Sequence, residues 1–205
     1  EPFGLGDRVR EINRRAARNA REAREVAGQP VLIAGSVGPT GRTLAPIGTI
    51  PPEAAREAFR EQIGALLEGG VDLLIIETIS SLDEMREAVL AAREVCDLPI
   101  VAQLTFAADG RTMAGNSPAE VVVGLADLGV AVVGANCGVG PRYTLDAVRE
   151  MMAQPAAAGM RFAAQPNAGW PTQVAGRLMY PSPADYFAEF AGDAARLGVA
   201  VIGGC

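Results

Sequence analysis

The chain has 205 residues, of which 49% are hydrophobic, and carries a formal net charge of -6 with a sequence pI near 4.8. This length suffices for one domain with a large core, and we predict a single domain over residues 1–205. An acidic chain lacks the basic surface that nucleic-acid binding requires. No apolar run approaches the roughly 18 residues of a membrane-spanning helix. The composition therefore predicts neither a nucleic-acid nor a membrane partner.

Histidine and lysine are both absent, and every basic residue is an arginine. A histidine general base and a Schiff-base lysine are therefore excluded. Any chemistry must come from carboxylates, thiolates, backbone groups or a metal ion. Three cysteines, an odd and small number, argue against a disulfide framework and favour a reducing, cytoplasmic location.

Short apolar runs alternate with longer segments of helical periodicity along the chain. Arg8 to Ala27 predicts an amphipathic helix, Val31 to Gly35 a strand, and Ser36 to Pro52 a turn-rich loop. Ser81 followed by Glu84 predicts a capping box at the start of a later helix. From residue 52 onwards, predicted helices and strands alternate, beginning with a helix: 52–67, 71–76, 81–95, 100–106, 117–128, 130–135, 143–152, 160–165, 183–197 and 199–202.

The predicted strands are continuous apolar runs, which is the pattern of parallel strands buried on both faces. A doubly wound open sheet and a barrel both satisfy it. Polar or small residues follow every strand, which favours a barrel, because an open sheet concentrates its site at one switch point. We therefore predict an α/β fold, a TIM (β/α)8 barrel. A complete barrel has eight strands and about 250 residues, so this one is predicted to lack its first strands and the segment after its last strand.

Two cysteines, Cys137 and Cys205, each follow a predicted strand. Thiols at the same rim of a barrel can converge on one point, and zinc binds thiolates, with three protein ligands in a catalytic site. The sequence thus predicts a zinc site at this rim. The alternative is that both are ordinary buried cysteines, which behave as small hydrophobic residues. Cys96 lies near the end of a helix and is predicted to serve packing alone.

Three other polar residues end predicted strands. Glu77 closes a very apolar run, where its carboxylate could bind a substrate ammonium group or a proton; the alternative is a structural carboxylate satisfied by backbone or arginine. Asn136 and Asn167 are suited to orienting a substrate or supporting a ligand, although either could be a turn residue. The glycine-rich stretch 35–41 lacks the lysine of a P-loop, which argues against nucleotide binding.

Five stretches, in order along the chain, resemble the zinc-dependent homocysteine S-methyltransferases: 35–40, 77–78, 134–138, 165–169 and 203–205. Residues 105–112 and 176–181 are most similar to bacterial members in which this domain is fused to a methylenetetrahydrofolate reductase domain. The homocysteine-binding module of cobalamin-dependent methionine synthase is the closest alternative.

The resemblance implies that the chain is a methyltransferase, with homocysteine and a methyl donor as its partners and methionine as its product. It implies that Cys137 and Cys205 are zinc ligands central to catalysis, with a third protein ligand just after Cys205. It also implies that Glu77 binds the homocysteine ammonium group. Two other functions stay open at this point: a metal-free barrel that binds a pterin-like small ligand, and a barrel lyase that uses Glu77 as its base.

Overall fold

The computed structural model describes residues 4–169 and 171–205. Within these ranges, no helix combines the length and apolarity needed to cross a membrane. The helices are α1 (Val9–Ala27), α2 (Pro52–Gly69), α3 (Leu82–Val95), α4 (Pro118–Leu125), α5 (Pro141–Met152) and α6 (Ala184–Leu197). The strands are β1 (Ala34–Val37), β2 (Leu73–Ile79), β3 (Ile100–Leu104), β4 (Val132–Cys137), β5 (Arg161–Pro166), β6 (Thr172–Val174), β7 (Arg177–Met179) and β8 (Val201–Ile202).

Six of these strands form one parallel sheet in the order β1-β2-β3-β4-β5-β8. Strand neighbours follow chain order, with helices in the connections, and the order never reverses. A doubly wound sheet requires such a reversal, so that alternative is excluded. The fold is a partial (β/α)8 barrel, which confirms the predicted fold class. All six strands bring their carboxyl ends to the same rim.

The core is divided between the two faces of the sheet. The larger hydrophobic cluster fills the space between the sheet and its helices, with Ile63, Leu74, Ile76 and Leu104 among its fully buried members. A smaller cluster is formed by Val101, Val132 and Ala163 with partly buried neighbours. Because side chains alternate along a strand, these two clusters occupy opposite faces, and the smaller one lies beneath the rim on the inner face.

The predicted capping box at Ser81 is wrong. Ser81 is the N-cap of α3, but its side chain makes no capping hydrogen bond. Glu84 turns elsewhere and accepts hydrogen bonds from the backbone N–H and the hydroxyl of Thr40, at 2.8 and 2.7 Å. A complete capping box is found instead at the start of α4, between Ser117 and Glu120.

The first strand begins later than predicted. Val31 to Gly35 was the expected range, yet the parallel ladder starts where Ala34 pairs with Leu73. Leu32 is 74% exposed and belongs to no strand, so apolarity alone misplaced the boundary. The shift has one functional consequence. Ser36, expected in a loop, lies within β1 and reaches the inner rim.

A two-stranded antiparallel hairpin, β6–β7, follows β5 and has no counterpart in the predicted elements. Ala175 and Gly176 connect the two strands and both have positive φ, 49° and 78°. Two consecutive positive φ values are typical of the tight turns that match hairpin twist. An Ala-Gly pair is a weaker signal for such a turn than Asn-Gly, which explains why the sequence did not indicate it.

Candidate functional site

The predicted site residues converge at the carboxyl rim of the sheet. The structure connects Glu77, Asn136 and Cys205 in one chain of contacts: Asn136 Nδ2 lies 3.4 Å from Glu77 Oε2 and 3.7 Å from Cys205 Sγ. Asn167 Nδ2 lies 3.8 Å from the Cys137 sulfur. Residues as far apart as 77 and 205 are therefore brought together by the order of the strands.

Glu77, at the end of β2, has hydrogen-bond donors on both carboxylate oxygens. The Ser36 hydroxyl donates to Oε1 at 2.6 Å, and the Asn136 carboxamide lies 3.4 Å from Oε2. Among the described residues, none of the ion pairs includes Glu77. The carboxylate is therefore oriented by neutral donors rather than neutralised by an arginine. Such a group can accept a cation, for example the ammonium group of an amino acid.

The strand β2 is irregular immediately after Glu77. Its register with β3 shifts between Ile76 and Ile79, which is a bulge in the ladder. Thr78 lies in the bulge with a left-handed φ of 61°. A β-branched residue is a genuine outlier in this region of conformational space. Thr78 is held there by Asn136, whose Oδ1 accepts from the Thr78 N–H at 2.8 Å and whose Nδ2 donates to the Thr78 hydroxyl at 2.8 Å.

Cys137 reaches the site because its backbone departs from strand geometry. On a regular strand, consecutive side chains face opposite sides, so Cys137 would point away from the side that Asn136 faces. Its φ of 58° interrupts this alternation. Gly138 follows with a φ of 70°, and a Cβ there would lie 2.9 Å from the carbonyl oxygen of Phe106. Only glycine fits this position, and the thiol of Cys137 turns toward Asn167.

Asn167 holds the loop after β5 against the Cys137 region. Its Nδ2 donates to the carbonyl oxygen of Gly138 at 2.6 Å, and its Oδ1 accepts from the N–H of Gly169 at 3.0 Å. Its backbone N–H donates to the carbonyl oxygen of Cys137 at 3.1 Å. These contacts account for Asn167 as a supporting residue. That Asn136 and Asn167 contact the substrate directly stays a prediction.

Cys205 is placed by the pairing of β8 with β5, continued by a backbone bond from its own N–H to the carbonyl oxygen of Pro166 at 2.9 Å. Burial raises the pKa of the Cys205 thiol, and the adjacent Cys137 and Glu77 act in the same direction. The Asn136 N–H opposes them by donating to the sulfur. Negative charge on the Cys205 sulfur is opposed by the nearby Glu77 carboxylate, so a bound cation would favour the thiolate form of Cys205.

The two thiols are a fitting but incomplete donor set for zinc. Thiolates suit zinc, as they suit other soft metal ions. The sulfurs of Cys137 and Cys205 each lie within reach of an asparagine N–H, the kind of outer contact that orients metal ligands. Within residues 4–169 and 171–205, no group of three or more His, Cys, Asp or Glu side chains is arranged to hold a metal. Cys96, by contrast, packs against the main core, as predicted.

Two of the polar residues near strand ends, Gln103 and Gln165, lie on the inner face, and their burial was not foreseen from the sequence. Gln103 is fully buried, and neither its Nε2 nor its Oε1 has a hydrogen-bond partner among the described residues; the same holds for Oε1 of Gln165. Buried amides are normally paired, so this polar layer beneath the rim is an exception. The sequence feature that could have indicated this layer is Gln103 itself, a polar residue within the otherwise apolar strand β3.

Similarity to known proteins extends along the whole chain. A family model described as homocysteine S-methyltransferase matches residues 1–205. The methionine synthase of Mycobacterium tuberculosis is 29% identical over 212 residues, covering 99% of this chain and 17% of that protein. The methionine synthase of Mycobacterium leprae is 28% identical with the same coverage. The chain thus spans only a small part of the length of these curated relatives.

Solved structures with the same fold include the homocysteine methyltransferase MmuM from Escherichia coli. Its apo form has a TM-score of 0.74 and 25% identity, covering 97% of this chain and 68% of that chain. Its metallated form has a TM-score of 0.74 and 25% identity, covering 96% of this chain and 66% of that chain. The likeness extends over nearly all of the barrel described above.

Proposed function

The chain belongs to the homocysteine S-methyltransferase family, and we propose that it transfers a methyl group to the thiol of homocysteine, forming methionine. The observation that carries this proposal is the convergence of two thiols with an uncompensated carboxylate at one rim. Homocysteine offers matching groups, a thiol at one end and an ammonium group at the other. No histidine base is required for such a reaction, which agrees with the composition.

Glu77 is proposed to bind the ammonium group of homocysteine. Ser36 fixes one carboxylate oxygen from β1 and Asn136 approaches the other from β4, so the group is oriented before substrate arrives. Preorganisation of this kind lowers the entropy lost when a substrate is held for reaction. Asn136 and Asn167 are proposed to line the substrate path while they support the two thiols.

Cys137 and Cys205 are proposed to hold a zinc ion, with a third protein ligand just after Cys205, as the family resemblance implies. A zinc ion bound there would supply the positive charge that makes a thiol ionise near neutral pH. Asn136 and Asn167 would each donate a hydrogen bond to one of the two sulfurs. These donations stabilise charge on sulfur and keep both thiols aimed at a common point.

The chain is proposed to act within a larger protein, because it covers only 17% of its methionine synthase relatives. Fusion to a methylenetetrahydrofolate reductase domain and membership in a cobalamin-dependent methionine synthase are the two forms we consider. The methyl donor is the partner left to identify. We also propose a cytoplasmic location, where three free cysteines would stay reduced.

The proposal is tested on the full-length protein that contains this chain. Zinc content is measured by elemental analysis, homocysteine binding by calorimetry, and methionine formation with a methylfolate, methylcobalamin, betaine and S-methylmethionine in parallel. Cys137→Ala is expected to lose zinc and homocysteine binding. Cys96→Ala is the matched control, since that thiol packs against the core and lies outside the site.

Each alternative function gives a different result in the same measurements. A metal-free barrel for a pterin-like ligand would contain no zinc and would not depend on thiols. A lyase that uses Glu77 as its base would work after chelation of metal. Homocysteine binding and methionine formation by Cys137→Ala at the wild-type level would refute the zinc-thiolate assignment.

A further inference from the structure

The orientation of the Asn136 carboxamide follows from its contacts with Thr78. The backbone N–H of Thr78 can only donate, so the atom 2.8 Å from it must be the amide oxygen. The nitrogen of the carboxamide therefore lies on the other side, 2.8 Å from the Thr78 hydroxyl. Thr78 thus contacts both ends of the Asn136 side chain and fixes which end faces the site.

The carboxamide nitrogen carries two hydrogens, and Thr78 takes one of them. The second is directed at the two remaining acceptors, Oε2 of Glu77 at 3.4 Å and Sγ of Cys205 at 3.7 Å. One N–H therefore lies between the carboxylate and the thiol. If the carboxamide turned over, its oxygen would face the Glu77 carboxylate and repel it.

The left-handed conformation of Thr78 is what makes the double contact available. In a regular strand its N–H and side chain would project in different directions, with the N–H in the ladder to the neighbouring strand. The bulge at this point removes Thr78 from the ladder and turns both groups toward Asn136. Strained conformations of this kind persist where the surrounding contacts determine them, and they concentrate at functional sites.

We propose that Thr78 is the positioning residue of this site. Its backbone N–H and its hydroxyl lock the Asn136 carboxamide so that one N–H connects the Glu77 carboxylate with the Cys205 sulfur. The Glu77 carboxylate, which binds the ammonium group of the substrate, is thereby linked to the Cys205 thiol. This inference rests on the proposed binding of homocysteine by Glu77, and its test separates the two.

The test compares four variants of the full-length protein by calorimetric titration with homocysteine and by thermal melting. Thr78→Val keeps the β-branched shape and removes only the hydroxyl; it should bind homocysteine about tenfold more weakly, as expected for one lost hydrogen bond next to charged groups. Thr78→Ser keeps the hydroxyl and should restore most of the affinity. Thr105→Val is the matched control and should bind homocysteine like the wild type, because among the described residues the Thr105 hydroxyl donates to the backbone oxygen of Asn136, at 3.1 Å, and not to its carboxamide.

Thr78→Gly separates positioning from stability. Glycine adopts positive φ without strain, so this variant should melt at a higher temperature than Thr78→Val while binding homocysteine equally weakly. Wild-type affinity in both Thr78→Val and Thr78→Gly would overturn the inference and leave the proposed function standing. Affinity that simply follows melting temperature across the series would also overturn it. Failure of the wild-type protein to bind homocysteine would overturn both.

Discussion

Thr40 donates both its backbone N–H and its hydroxyl to the same carboxylate oxygen of Glu84, at 2.8 and 2.7 Å. Glu84 is only 4% exposed and lies in the first turn of α3. The two hydrogen bonds fasten the loop after β1 to this helix. Since Ser36 precedes that loop and orients Glu77, the loop anchor also supports the site.

Removing the Glu84 carboxylate should destabilise the protein. Glu84→Ala leaves the half-buried N–H of Thr40 without its acceptor, while the Thr40 hydroxyl keeps the carbonyl oxygen of Arg42 at 3.2 Å, so the expected loss is about 1 kcal/mol. Glu84→Gln keeps one acceptor oxygen and should lose less. Urea unfolding followed by circular dichroism measures both values. Equal stability of Glu84→Ala and wild type would contradict the anchoring role.

The capping residues of two helices offer a paired test. Ser117→Ala removes a side chain that accepts from the Glu120 N–H and should lower stability by about 1 kcal/mol. Ser81→Ala removes a side chain that makes no capping bond and should cost clearly less. Both are measured as shifts of the denaturant midpoint. A larger loss for Ser81→Ala would restore the capping box predicted from the sequence.

Gln103→Met should stabilise the protein. The side chain is fully buried with both amide atoms unpaired among the described residues, and methionine has a similar shape without polar atoms to desolvate. Removing an unsatisfied buried amide is worth about 1–3 kcal/mol. Gln62→Met is the control, because Gln62 donates to Asn13 and to the backbone of Ser36 and should lose stability. Equal losses in both variants would show that Gln103 is paired in solution.

The carboxylate of Asp72 should make stability depend on acidic pH. Hydrogen bonding from the Ile33 N–H, followed by the charge of Arg24, lowers the pKa of Asp72 in the folded state. A lowered folded pKa contributes stability at pH values above the unfolded pKa of about 3.9, and this contribution is lost as pH falls through the folded pKa. Asp72→Asn should therefore melt at a lower temperature at neutral pH.

Thermal melts between about pH 2 and pH 7 test the Asp72 contribution. The melting temperatures of wild type and Asp72→Asn should converge toward the acid end of this range. A constant difference across it would show that the charge of Asp72 plays no part. Conversion to asparagine leaves the backbone contact with Ile33 partly in place, so the remaining difference at neutral pH reports mainly the lost charge.

The fold was predictable because it depends on a repeated and coarse signal. Continuous apolar runs separated by helical segments specify parallel strands, and polar residues after every strand specify a rim. Boundaries were less predictable, because they depend on pairing partners that lie far away in sequence. The start of β1 is set by the pairing of Ala34 with Leu73, and nothing in residues 31–35 reveals that register.

The residues of the site were named from the sequence, but their arrangement was not. Asn136 and Cys137 are adjacent on one strand, and strict alternation would send them to opposite faces. The left-handed backbone of Cys137 overrides that rule, and a sequence pattern gives no sign of it, because non-glycine residues seldom adopt positive φ. The supporting roles of Ser36 and Thr78 were also missed, because both depend on contacts between strands that are far apart in sequence.

The left-handed residues at the ends of β2 and β4 change how many functional groups the rim can carry. In a regular strand only every second side chain faces the inside of the barrel. Regular strand ends would therefore place few functional groups at the rim. At Thr78 and Cys137 two consecutive side chains serve the same face. The barrel thereby reaches a density of polar and sulfur groups that pleated strands alone would not permit, without added loops or a wider sheet.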